Sequence, residues 1–86
     1  MNYEKIEIAA ALFVSAPDSN CECEAMDLYY EIKDMAKGVD YENKKATQAF
    51  SENVRKICMK AGLTSRCAVS FGNVAKTAVL EAYIPF

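Results

Sequence analysis

The stretch Cys67-Ala68-Val69-Ser70-Phe71-Gly72-Asn73-Val74-Ala75-Lys76-Thr77-Ala78-Val79-Leu80-Glu81-Ala82-Tyr83-Ile84 decides between two architectures. Cys67–Phe71 has the composition of a short strand, Gly72-Asn73 that of a two-residue turn, and Val74–Ile84 that of a returning strand. Pro85 ends this strand or places it at a sheet edge. Against the hairpin stand Ala75, Lys76, Ala78, Leu80, Glu81 and Ala82, all good helix formers, which open a helical reading of Asn73–Tyr83. The hairpin is the expectation taken forward.

Residues 4–14 pose the same choice at the other end. Ile6, Ile8, Ala10, Leu12 and Val14 alternate with Lys5, Glu7, Ala9, Ala11 and Phe13, the two-residue period of a strand. The alanine triplet Ala9–Ala11 favours helix instead. Pro17-Asp18-Ser19-Asn20 ends the element and offers capping side chains to the next.

The middle of the chain is helical by period. In residues 22–37, Ala25, Leu28, Tyr29, Ile32, Met35 and Ala36 recur at three- and four-residue steps and make one apolar stripe. Glu24, Asp27, Glu31 and Asp34 share another face, Met26 and Tyr30 fall outside the stripe beside Lys33 and Lys37, and Gly38 suits a left-handed stop. Asp40 is placed to cap a second helix over 41–61 that stops at Gly62. Its stripe is Ala46, Phe50, Val54, Ile57, Cys58 and Ala61. Lys44, Lys45, Arg55, Lys56 and Lys60 occupy the other half of the wheel, with Glu52 positioned to pair with Lys56.

The architecture expected from these elements is α+β: a two-layer β-α-α-β-β sandwich, a small three-stranded sheet covered by two helices, within a single domain spanning 1–86. The alternative is an all-α bundle with both end segments helical.

The 86 residues are 52% hydrophobic and 26% charged, the balance of a globular chain with one small core. Histidine is absent, so the side chain best suited to proton transfer near neutral pH is missing, and an enzyme is not expected. No apolar run approaches the ~20 residues of a membrane span, and Glu4 and Glu7 ahead of Ile8–Val14 oppose a signal peptide. The chain is therefore expected to be cytoplasmic, with reduced cysteines.

Cys21-Glu22-Cys23, with Cys58 and Cys67 brought near by folding, invites a four-sulfur metal site, but the spacing differs from the paired C-x2–4-C knuckles of structural zinc. Glu22 and Glu24 beside the first two sulfurs disfavour the thiolate. Neither metal nor cofactor is expected, and whether the four cysteines are free thiols stays open.

Charge supplies the candidate sites. Residues 1–43 hold ten acids and three lysines, net −7; residues 44–86 hold seven bases and two acids, net +5. Two surfaces follow. One is a protein-binding surface of Glu24, Asp27, Glu31 and Asp34 with Met26, Tyr30 and Met59, residue types that adapt to partners and are enriched where proteins meet. The other is the basic face of the 41–61 helix, Lys44, Lys45, Arg55, Lys56 and Lys60 extended by Arg66, which suits phosphates. Ile57–Phe71 has the layout of a helix-turn-helix, but Val69–Gly72 lack base-reading side chains, and the isoelectric point near 5.0 differs from that of a basic nucleic-acid-binding domain.

The functional expectation is a small non-enzymatic intracellular interaction protein: an adaptor, regulator or inhibitor acting by surface complementarity, of the kind phages and mobile elements use against host systems. A protein partner or a second copy in a homodimer is expected, with nucleic-acid binding by the basic face as the alternative. Because consecutive helices commonly pack side by side, the two charged faces are expected to neutralise one another in part.

Overall fold

A computed structural model describes residues 2–15 and 21–83, with residues 21–24 as backbone alone. Its elements are α1 (Glu4–Ser15), α2 (Cys21–Ala36), α3 (Lys44–Ala61) and α4 (Ser65–Tyr83). Among the described residues there is no strand. The expected three-stranded α+β sandwich is thus overturned, and the all-helical alternative is what forms.

The physical reason lies in the two end segments. In the 65–83 segment, Ala68, Gly72, Ala75, Ala78 and Val79 are buried at steps of three, four and one residues, a helical stripe made of small side chains. Small residues let helix backbones approach closely. The Ser51 hydroxyl donates to the Gly72 carbonyl at 2.8 Å, and a Cβ at position 72 would lie 3.4 Å from the Ser51 backbone oxygen and hydroxyl. Gly72 is therefore an α3–α4 contact residue and not the first residue of a hairpin turn.

In α1, Ile6, Ala9 and Ala10 are buried and Phe13 is half-buried, again a helical stripe. The strand-like alternation arose because Ile8 and Leu12 lie on a second side of the same helix. Asn2 Oδ1 accepts from the Glu4 backbone N–H at 2.9 Å, and Glu4 and Glu7 sit in the first turn, where the helix dipole favours anions.

The helices form two antiparallel hairpins laid together. Leu12 lies by Asp27 and Tyr30 while Lys5 lies by Glu31 and Asp34, so α1 and α2 run oppositely. Tyr3 stacks on Phe50 at 6.2 Å, and Val14 faces Gly62, so α1 and α3 run the same way. Ser51 meets Gly72 and Tyr41 stacks on Tyr83, so α3 and α4 are antiparallel. Lys33 reaches Glu81 at 3.9 Å, and Tyr29 lines a hollow with Val74, Thr77 and Glu81, which places α4 beside α2. Each helix thus has two neighbours, with α2 and α3 across the diagonal. The core between them is Ile6, Leu28, Ile32, Phe50, Val54, Cys58, Leu63 and Val79 with the buried alanines. All four helices contribute to it.

Several local expectations change. Asn43, not Asp40, caps α3, its side chain accepting from the Ala46 N–H at 3.1 Å; Asp40 instead accepts from the Glu42 N–H in the preceding turn. Gly38 does not adopt a left-handed conformation. Helix α2 ends in i→i−3 bonds from Lys37, Gly38 and Val39 to the carbonyls of Asp34, Met35 and Ala36. Gly62 does stop α3 in the left-handed region, with φ 113°, and the Gly62 and Leu63 amides donate to Met59 and Cys58, the Schellman pattern. Glu52 accepts from Gln48 at 3.2 Å, and no Glu52–Lys56 ion pair forms among the described residues. The capping expectation for residues 17–20 lies outside the described residues.

Candidate interaction site

A helix with apolar side chains on more than one side must either sit in the middle of a core or leave one side without a partner. Helix α1 does the latter. Its stripe Ile6/Ala9/Ala10/Phe13 faces inward, while Ile8 and Leu12, one turn apart, are each 53% exposed. The antiparallel neighbour α2 presents Met26 and Tyr30, also one turn apart and 51% and 56% exposed. Between the helices runs an open groove of about 330 Å³, lined by Lys5, Ile8, Ala9, Leu12, Tyr30, Asp27 and Glu31.

The α2 side of this groove is acidic. Asp27 is exposed and Glu31 half-buried. Asp34 continues the row and lines a smaller hollow with Lys5 and Glu31; its one ion-pair partner among the described residues is Lys37, at 4.0 Å and itself exposed. An exposed pair at that distance is worth little. Tyr30 meets the ring of Tyr29 edge-on at 5.8 Å, and Tyr29 lies under the Lys33 ammonium at 5.3 Å. Those contacts hold the base of the α2 ridge, leaving the outer face of Tyr30 to solvent. The expected residues Asp27, Tyr30, Glu31 and Asp34 are thus brought together on one edge, while Met26 is exposed on the same helix outside the groove lining. Met59 is not brought there: it is 46% exposed on α3, across the diagonal. The Glu24 side chain lies outside the described residues.

Sequence reasoning missed Ile8 and Leu12. Their signal was present in the number of apolar side chains between residues 4 and 14, more than one helical stripe accommodates; it was hidden by reading that surplus as the two faces of a strand.

The basic residues spread along the opposite corner. Lys44, Lys45, Lys56, Lys60 and Arg66 are exposed, and none forms an ion pair among the described residues. Arg55 is half-buried, with its Cβ against Gly72. Since α2 and α3 do not adjoin, the expected mutual neutralisation of their faces does not occur. At one end Lys44 joins Lys76, Thr47, Gln48, Glu42, Tyr41 and Leu80 around an open hollow of about 500 Å³, beside the Tyr41–Tyr83 stack at 4.1 Å. Its lining carries both signs of charge and every residue of it is exposed or half-buried, so no preorganised polar group points to a ligand.

Cys58 is buried in α3 and Cys67 half-buried in α4, both free thiols. Burial, and then the neighbouring Cys67, push the Cys58 thiol up to about 11, the opposite of what a reactive thiolate needs. Among the described residues no three His, Cys, Asp or Glu side chains gather at one point; the side chains of Cys21 and Cys23 lie outside them. No described helix is long and apolar enough to cross a membrane.

The fold defines a small bundle of two helical hairpins. No protein-family model, curated protein or solved structure matches this chain.

Proposed function

We propose that this chain is a non-enzymatic interaction protein, an adaptor, regulator or inhibitor, and that it binds its partner through the α1–α2 edge. The observation that carries this reading is the groove with an acidic rim that Ile8 and Leu12 of α1 share with Tyr30 of α2, each about half exposed, with Met26 exposed one turn before Tyr30. In a chain with so small a core, large apolar side chains held in water at one place weaken solubility unless something covers them. The acidic rim keeps the surface soluble when free and selects partners when bound.

Site-specific crosslinking in the native host tests this. A photoreactive residue at Leu12 or Tyr30 is expected to capture a discrete protein, whereas the same residue at Val69 on α4, an equally exposed apolar position, captures none. Capture at Val69 with none at Leu12 and Tyr30 overturns the assignment.

A second reading is supported by one observation, the basic corner of α3 standing clear of the acidic one. On this reading Lys44, Lys45, Lys56, Lys60 and Arg66 follow a phosphate backbone, with affinity falling steeply as salt rises.

A further inference from the structure

We infer that the α1–α2 groove takes a cationic amphipathic helix from a different protein. This rests on the interaction reading above and adds the chemistry of the occupant.

Shape comes first. Ile8 and Leu12 on α1, and Met26 and Tyr30 on α2, each stand one helical turn apart, and the two helices run antiparallel. Ile8, Leu12 and Tyr30 line the trough between the two helices, and Met26, exposed one turn before Tyr30, flanks it from outside. A third helix laid along such a trough inserts its own side chains at i, i+3, i+4 and i+7, the helix-in-groove mode of peptide recognition. An extended strand has no exposed backbone edge to pair with here, because every described element is a helix.

Charge then selects the class. The rim carries Asp27, Glu31 and Asp34 against Lys5. Covering these carboxylates with a neutral or acidic surface would remove them from water without compensation. Lysines and arginines on the flanks of an incoming helix would meet them, while their aliphatic stems extend the apolar contact over Tyr30 and Met26. The same carboxylates repel a phosphate backbone and an anionic lipid surface.

A second copy of this chain fits less well. A two-fold dimer through this edge would set one acidic row close to the other, with only Lys5 and, beside Asp34, the exposed Lys37 on each side to offset it. A head-to-tail contact with the basic corner of α3 would satisfy the charge, but Met59 is the one large apolar side chain that α3 exposes among its described residues.

Three synthetic peptides of about 18 residues test the inference on the full chain: a Leu/Lys/Arg amphipathic helix, a scrambled peptide of identical composition with no apolar stripe, and the amphipathic helix with Glu in place of Lys and Arg. The cationic amphipathic peptide is expected to bind at least tenfold more tightly than either control at the same salt. Backbone amide shifts should concentrate around Ile8, Leu12, Asp27 and Tyr30. The Asp27→Lys/Glu31→Lys variant, shown by its circular dichroism and melting to be folded, should lose about tenfold for the cationic peptide and gain for the anionic one. Equal binding of the cationic and scrambled peptides, or shifts centred on α3, overturns the inference. If the anionic peptide binds the same edge more tightly, the charge class fails while the interaction face stands. Self-association through the edge at the concentrations of the titration overturns the foreign occupant. If no peptide moves the edge and the host crosslinks avoid it, both the inference and the proposed function fail.

Discussion

Cys58 shows how one buried side chain ties stability to pH. The thiol is shut inside the core, and burial raises it from 9.0 to about 11. Between those values the unfolded chain has released the proton and the folded chain still holds it. Stability is therefore fully retained below pH 9 and declines as pH rises from there through 11, by roughly 3 kcal/mol in all. Urea unfolding from pH 8 to 11 checks this. Cys58→Ala is expected to be destabilised at every pH by the cavity it opens, yet to lack the part of the alkaline decline that the wild type shows. Equal slopes in the two proteins would refute the assignment. At this scale the sequence was legible for Cys58, whose place in the stripe with Phe50 and Val54 put it in the core. It was not legible for Gly72. A missing Cβ permits a tight turn and permits a close helix contact equally well, and only the partner (here Ser51) tells the two apart.

Elements whose apolar period matches one helix face were readable; those with a surplus were not. Helices α2 and α3 were expected within a few residues of where they lie because their charged residues sit opposite a single stripe. Helices α1 and α4 carry apolar or small residues on several sides, and that pattern scans equally as alternation. Helix α3 also contains a local conflict. Lys44 and Lys45 occupy its first turn, with no acid among them, where the dipole disfavours cations. The Lys44→Glu/Lys45→Glu variant is expected to raise stability by about 1 kcal/mol at low salt, a rise of several degrees in melting temperature for a chain of this size. If the basic corner serves nucleic acid, that variant extended by Lys56→Glu also loses DNA or RNA binding measured at about 50 mM salt, where counterion release favours it most. No binding by the wild type at that salt would remove the nucleic-acid reading. Unchanged binding by the triple variant would move it to another surface.

Across the whole molecule, the division of charge along the sequence becomes a division in space. The −7 and +5 halves supply acidic and basic corners that the hairpin-on-hairpin arrangement holds apart, because α1 and α4 come between α2 and α3. The individual charged faces were visible in the sequence; their separation was not, since it depends on which helices adjoin, and that depends on α1 and α4 being helices at all. The separation bears directly on self-association. Opposite corners on one molecule match head to tail, a heterologous contact that grows open chains unless its rotation happens to close. Such contacts would rest on exposed charge pairs, each worth well under ~1 kcal/mol and screened within ~8 Å at physiological salt. Against the entropy of association that is too little for a stable dimer. Sedimentation over a range of protein concentrations is therefore expected to give a monomer at about 150 mM salt, with weak, open-ended association emerging as the salt is lowered. A discrete salt-resistant dimer would contradict this, and it would place a second copy, rather than a foreign helix, over the apolar ridges of α1 and α2.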